Sequence, residues 1–365
     1  MYRKTWLEVD LDAIKENVRY IKNKNHKKFI AVLKANAYGC GDVQVMHTVL
    51  EAGADMIAVS SLEEALILRQ EAYAGELLIL GSTSHTDIPI VIANNITVSA
   101  YSLSWVKEVL ENTHENLKVH LKIDTGMNRI GVKTYEEVKE MLELLVDGGC
   151  KVEGIFTHFA CADCDIDMTN QQFNTFKEIV EKLDYPFHWV HCDNSDASLS
   201  LEEDFSNACR VGISLYGISN FDTNLKPAIS FYTTLIHVKE VEPNETIGYG
   251  ATYITSSKEW IGTIPVGYAD GLVRANQDRL VYCEGEYCRI VGRVCMDQSM
   301  VLLPKKLPSH SVVEIFGPHI PLEKMAEELH TIPYEIICLI SPRVTRRYVK
   351  NHEVISEGNL RLDLY

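Results

Sequence analysis

Residues 31–41 read AVLKANAYGCG, and the apolar, partly β-branched run Phe29–Leu33 leads straight into them. A run of that length, followed at once by small residues, Tyr38 and two glycines, reads as a buried strand entering a loop. Lys34 stands at the junction. A lone lysine there would ordinarily cap a strand in solvent; the other strand ends of the chain argue against that reading.

Seven more strand-length runs follow, at Met56–Val59, Leu77–Leu80, Ile96–Ser99, Val119–Ile123, Val152–Phe156, Trp189–His191 and Cys209–Ile213. Amphipathic segments alternate with them, two opening on capping boxes, Ser61 to Glu64 and Thr134 to Glu137. No G-x-G-x-x-G follows the first strand, so the pattern favours an α/β architecture with an N-terminal (β/α)8 TIM-type barrel over an open doubly wound sheet. The segment LDAIKENVRYI, residues 11–21, reads as a helix covering the gap after the eighth strand. Beyond about Asn220 the text changes to short alternating runs with Gly and Pro punctuation, such as IGYGATYITSS at 247–257. This predicts a mainly antiparallel β-domain with one short helix at LEKMAEELH, 322–330. The expected division is 1–225 and 226–365.

The chain has 365 residues, 46% hydrophobic and 24% charged, enough for about two folded domains. Its 51 acidic against 35 basic residues give a formal charge of -16, which excludes the footprint of a nucleic-acid or anionic-membrane binder. No apolar stretch approaches the roughly 20 residues of a membrane span, and the first residues lack a signal-peptide core. A soluble, cytoplasmic chain is expected, or the cytoplasmic domain of a membrane-anchored protein. The ten cysteines are irregularly spaced and read as reduced thiols. Cys161 and Cys164 form a lone CxxC near His158 and His191, but no second CxxC completes a zinc site, and no metal is expected.

Polar residues at the carboxyl ends of barrel strands face one mouth. Here the fifth strand ends in Lys122, Asp124 and Arg129, the sixth in His158, the seventh in Asn194 and Ser195, and the eighth in Arg210, Gly212, Ile213 and Tyr216. Glycine-flanked backbone after the last two strands is where barrels cradle a phosphate. A phosphate, a lysine and an arginine in one mouth point to pyridoxal phosphate. Taken singly, His158 reads equally well as a core histidine, Tyr216 as packing, Met296 as core filler and Cys295 as a buried small residue.

Seven stretches resemble the alanine racemase family in one order over nearly the full length: AVLKANAYG, KIDTGMNRIG, THFACAD, RVGISLYG, GYGATY, VGYADG and GRVCMDQ. The resemblance implies that Lys34 carries the cofactor and acts as one base, with Tyr249 of a neighbouring subunit as the second, in a homodimer. It implies that Arg210 meets the pyridine nitrogen, with His158 linking it toward Tyr249, and that Tyr38, Ser195, Gly212 and Ile213 contact the phosphate. Arg129 and the backbone of Met296, beside Asp297, would hold the substrate carboxylate. Asp163, Tyr268, Arg274 and Arg293 would line the approach to the site. Some family members carry a carbamate on the lysine matching Lys122, and the same is expected here.

Racemisation needs bases on opposite faces of the α-carbon, and bringing a tyrosine from about 10 to neutrality takes about 4 kcal/mol of anion stabilisation. A basic neighbourhood of His158 and Arg210 is the expected source. An arginine that keeps its proton weakens the ring as an electron sink and suppresses transamination. One departure stands out: Pro342, in ISPRVTRRY, replaces a tyrosine that narrows the family's pocket. Room beyond the substrate methyl predicts activity on alanine and serine, as in serine racemases of the glycopeptide-resistance type. The product would be a D-amino acid for peptidoglycan precursors. Two alternatives use a similar barrel, an amino-acid decarboxylase and a non-catalytic pyridoxal-phosphate homeostasis protein. The first would be expected to present a cysteine where Tyr249 stands; the second would lack the β-domain.

Overall fold

The computed structural model describes residues 2–111, 115–221 and 224–359. Strand β1 (Thr5–Asp10) is followed by eight parallel strands: β2 (Lys28–Val32), β3 (Met56–Val59), β4 (Leu77–Ile79), β5 (Thr97–Ala100), β6 (Lys118–Lys122), β7 (Lys151–Phe156), β8 (Trp189–His191) and β9 (Ala208–Val211). β9 pairs with β2 and closes the barrel. All eight predicted strands are present, shifted by at most two residues at an end, because continuous apolar runs are what strands covered on both faces require. Ile30, Val32, Met56, Ala58, Leu78, Trp189 and Ala208 pack into one buried cluster within it. Ile30, Val32, Met56 and Leu78 each contribute about 2 kcal/mol on burial.

The remaining strands are β10 (Ile229–Thr234), β11 (His237–Val241), β12 (Thr246–Ile247), β13 (Tyr253–Ile254), β14 (Glu259–Ile264), β15 (Leu280–Cys283), β16 (Glu286–Val291), β17 (Ser299–Leu303), β18 (Val312–Phe316), β19 (Thr345–Lys350) and β20 (Glu353–Gly358). Ten strands form one sheet in the order β11-β14-β17-β16-β15-β18-β10-β1-β19-β20. Its pairings are antiparallel except that of β1 with β19. The segment TWLEVD was not foreseen as a strand, although Leu7 and Val9 alternate with polar Glu8 and Asp10. A second helix, Pro333–Cys338, accompanies the expected one at Leu322–Glu328.

The chain divides into two compact units. One comprises Ile14–Ala37 and Asp42–Lys226; the other takes the residues up to Ala13, Tyr38–Gly41, and everything from Pro227 onward. The division is therefore not one cut: β1 bonds into the large sheet, and Tyr38–Gly41 is gripped by β19. Arg346 Nε donates to the Gly39 carbonyl at 2.8 Å, and the Tyr348 hydroxyl donates to that of Cys40 at 3.0 Å. Gly41 is obligatory there, since a Cβ would lie 1.9 Å from that hydroxyl. Among the described residues no helix is long and apolar enough to cross a membrane.

Candidate active site

The chain leaves β2 in an unusual way. Ala35, Asn36, Ala37 and Tyr38 all have φ between 51° and 57°, the left-handed region. For L-residues this costs roughly 1–2 kcal/mol each and persists only where the surroundings impose it. The constraints are visible on both sides of Lys34. Ala37 N–H donates back to the Leu33 carbonyl at 2.8 Å, Glu64 accepts from Ala35 N–H at 2.6 Å, and the buried Tyr216 hydroxyl donates to the Ala37 carbonyl at 2.7 Å. Lys34 thus sits at the carboxyl end of a barrel strand on backbone held out of its ordinary conformation.

Four barrel strands contribute to a buried polar chain. Arg210, on β9, donates to His191 Nδ1 at 3.0 Å, to His158 Nδ1 at 3.2 Å, and to the carbonyls of Thr157, His191 and Cys192. His191 Nε2 meets His120 Nδ1 at 2.9 Å. Because a guanidinium only donates, His191 must accept at Nδ1 and pass its own proton at Nε2 to His120, and His158 must carry its proton at Nε2. Burial, then the charge of Arg210, holds His158 and His191 well below the ordinary histidine range and His120 down to about 3. All three rings are neutral near pH 7. His158 can therefore hydrogen-bond but lend no charge, which corrects its expected share in a basic surrounding for Tyr249. Burial pulls Arg210 down to about 10, so at neutral pH it remains a cation.

Beside this chain lies Lys122, whose ammonium donates to the Ile123 carbonyl at 2.9 Å. Burial, with Arg210 next, pulls its pKa down to about 7. Asp124 accepts from Gly126 and Asn128 N–H, folding the loop that carries an exposed Arg129 with no ion pair among the described residues. The Ser195 hydroxyl accepts from Gly212 N–H at 3.0 Å, joining the segments that follow β8 and β9. Asp163 is exposed and receives Asn220 Nδ2 at 3.4 Å.

The C-terminal unit has a cleft of its own. Tyr249, Tyr268, Arg274, Arg293, Val294 and Cys295 line a cavity of about 470 Å³. Tyr249 is 72% exposed, and its hydroxyl makes no hydrogen bond among the described residues. Gly250 follows at φ 74°, and a Cβ there would lie 2.8 Å from an Arg293 guanidinium nitrogen, so the cation packs directly on the backbone beside the phenol. Met296 is half exposed, with its carbonyl taken by Ala269 N–H and its own N–H unbonded among the described residues. Asp297 accepts from Arg343 at 2.7 Å.

Residues 9–220 match the family described as alanine racemase, N-terminal domain, and residues 228–348 its C-terminal domain. The chain belongs to the alanine racemase family. It is 42% identical to the alanine racemase of Anoxybacillus flavithermus, with 98% of each chain covered. It is 40% identical to alanine racemase 1 of Bacillus subtilis, covering 98% of this chain and 96% of the relative. The crystal structure of the Bacillus anthracis alanine racemase with bound L-Ala-P superposes with a TM-score of 0.94 at 37% identity, over 100% of this chain and 99% of that one. The activity is alanine racemisation, an isomerase reaction dependent on pyridoxal phosphate.

The racemase barrel fits that cofactor. Arg210 spends both terminal nitrogens on the protein, while its Nε–H has no partner among the described residues and is left for an acceptor such as a ring nitrogen. Lys34 supplies a primary amine at a strand end, and the Ser195 hydroxyl, which accepts from Gly212 N–H, keeps its own proton for an acceptor. Sequence reading missed the parts that act through others: His120 and His191 behind Arg210, and Glu64 beside Lys34. Glu64 had been visible as a capping-box residue; its second task needed the register of β2 and β3. Tyr216, read as packing, is fully buried but also spends its hydroxyl on the Lys34 turn. Cys295 is half-buried in the cleft rather than a core residue, and Met296 is no core filler. Cys161 and Cys164 hydrogen-bond to each other, whereas His191 is fully buried between His120 and Arg210, so the two do not combine as zinc ligands.

Proposed function

We propose that the chain interconverts the mirror forms of alanine and of serine by a two-base mechanism, with Lys34 acting on one face and Tyr249 on the other. The observation that carries this is the location of the two groups: Lys34 follows a strand of the barrel unit, whereas Tyr249 belongs to the other unit, exposed and with its hydroxyl unbonded among the described residues. A phenol so presented suits delivery to a second copy, and the working form is a homodimer. Pyridoxal phosphate, held by Lys34, Arg210, Tyr38, Ser195, Gly212 and Ile213, supplies delocalisation of the electron pair left on the α-carbon. Lys34 Nζ removes or returns the α-proton at one face, and Tyr249 Oη does the reverse at the other. Arg129 and Met296 N–H hold the substrate carboxylate, while Asp163, Tyr268, Arg274 and Arg293 line the approach.

Lys122 is the proposed carbamate site. An amine with pKa about 7 is substantially neutral at physiological pH and able to attack carbon dioxide, and the product anion would orient Arg129. Mass spectrometry at rising bicarbonate should show the peptide heavier by one carbon dioxide; a free amine throughout removes the proposal.

Serine is favoured by Pro342, an exposed residue without a hydroxyl where the family places a tyrosine. The reading extends to a cytoplasmic enzyme supplying D-amino acids for peptidoglycan precursors, in the manner of glycopeptide-resistance racemases. The deciding measurement is kcat/KM for L-serine against L-alanine. A preference for alanine above about a thousandfold, some 4 kcal/mol, ends the serine reading. Release of carbon dioxide without α-proton exchange would favour the decarboxylase alternative, and absence of any turnover the homeostasis protein.

A further inference from the structure

We propose that Glu64 and Tyr216 are positioning residues for Lys34, clamping the left-handed turn behind it from the two strands that flank β2. The inference rests on Lys34 being a base of the reaction. β2 has β3 on one side and β9 on the other. On the β3 side the backbone ladder ends with Leu33 N–H donating to the Ala58 carbonyl at 2.8 Å. One step beyond, the half-buried Glu64 carboxylate takes over. One oxygen accepts from Ala35 N–H at 2.6 Å, and the other from Ser60 N–H at 2.8 Å and the Ser60 hydroxyl at 2.9 Å. On the β9 side, Tyr216 leaves the short helix after the strand and donates to the Ala37 carbonyl at 2.7 Å.

The two contacts are complementary. Glu64 takes the first donor after Lys34, and Tyr216 feeds an acceptor two residues later, so the turn is held at both ends by opposite neighbours. A charged acceptor makes the Glu64 bond the stronger arm. Four consecutive L-residues at positive φ do not hold themselves there. Released from either arm, the turn relaxes, and the lysine at its root loses its fixed direction. Glu64 also occupies the third position of the helix Leu62–Gln70, whose N-cap is Ser61. Ser61→Ala removes the capping hydroxyl without touching Ala35 and so separates the two roles.

The test uses the holoenzyme and the variants Glu64→Gln, Tyr216→Phe, their double, Ser61→Ala and Glu64→Asp. Steady-state kinetics in both directions are read together with hydrogen exchange of the amides of residues 33–38. Glu64→Gln and Tyr216→Phe should each lower kcat about 10- to 100-fold with little change in KM, as expected for a misdirected reacting group. Exchange over the turn should quicken at least about tenfold. The double variant should lose less than the product of the two single losses, because both arms hold one element. Ser61→Ala should move neither readout. Wild-type kcat and exchange in Glu64→Gln and Tyr216→Phe would overturn the proposal, as would a Ser61→Ala variant that matches Glu64→Gln. If the glutamine variant fails to fold, Glu64→Asp decides, with wild-type exchange again overturning it. Exchange reports the clamp whatever Lys34 does; Lys34→Ala retaining racemisation would instead remove the underlying reading.

Discussion

The barrel mouth and the C-terminal cleft carry the proposed catalytic groups in opposite physical states. In the barrel, Arg210 is 4% exposed and fully engaged except at Nε, three histidines are neutral and tautomer-locked, and Lys34 stands on clamped backbone. In the cleft, Tyr249 is 72% exposed, flanked by Arg274 and Arg293, and hydrogen-bonded to nothing among the described residues. The contrast is between a buried polar cluster organised within its own unit and a cleft whose phenol remains unengaged among the described residues. Mutations should therefore separate: cleft variants change chemistry without changing stability, whereas barrel variants change both.

The sharpest form of this contrast is kinetic. Lys34→Ala should abolish racemisation, and Tyr249→Phe should lower it by about 10²- to 10⁴-fold, the usual contribution of one acid–base group. The phenylalanine variant should unfold within about 0.5 kcal/mol of the parent, as exposed positions do. Racemisation unimpaired in Tyr249→Phe would break the two-base reading and leave the cleft without a task.

Next in size is Arg210→Leu. It strands the acceptors His191 Nδ1 and His158 Nδ1 together with the carbonyls of Thr157 and Cys192, and about 3–5 kcal/mol of stability should go with it. Denaturant unfolding measures this directly. Arg293→Ala, on the open cleft, should cost under about 1 kcal/mol. Similar losses at the two arginines would erase the distinction between the regions.

Acid supplies a third probe. Folded-state pKa values of His120, His158 and His191 lie below the ordinary 6.5, so the unfolded chain binds protons that the folded chain refuses. Their contribution to stability is present above pH 6.5 and is lost as pH falls below it. At pH 5.5 this amounts to about 1.4 kcal/mol per ring, or about 4 in all. Asp193, buried and raised to about 6, works the other way, gaining about 1 kcal/mol by pH 5.5. Lys122, drawn down to about 7, must take up a proton in the folded chain over the same range and costs about 1 kcal/mol more, so a net loss of about 4 kcal/mol between pH 7.5 and 5.5 should appear as a lower urea midpoint; a midpoint that does not move would mean the rings are charged or solvated.

These regions also differ in how far the chain text discloses them. The barrel strands were legible because burial on both faces demands continuous apolar runs. Lys34, Lys122, His158 and Arg210 were legible because polar residues at such ends break the run. β1 was not, since its partners lie more than 200 residues away and its short alternation, Leu7 and Val9 against Glu8 and Asp10, runs straight into the helix that follows. Glu64, Tyr216, His120 and His191 were illegible as site residues for a related reason. Each acts through another side chain or a backbone atom, and that contact exists only once parallel strands are in register. The left-handed turn was hidden as well, because Ala, Asn, Ala and Tyr have no common preference for positive φ.

The smallest expected effect tests the departure from the family. Pro342 carries no hydroxyl and is followed by Arg343, which is pinned between Asp270 at 3.0 Å and Asp297 at 2.7 Å, so the backbone at 342 is anchored from its neighbour. Pro342→Tyr should therefore place a phenol without displacing the Asp297 loop. If the missing ring leaves room for a hydroxymethyl group, restoring it should lower kcat/KM for serine relative to alanine by about tenfold, within the 1–3 kcal/mol that one small group in a pocket is worth. Stability should hardly change, because the residue is exposed. An unchanged serine-to-alanine ratio would mean that selectivity is set elsewhere, and the openness of position 342 would then say nothing about substrate.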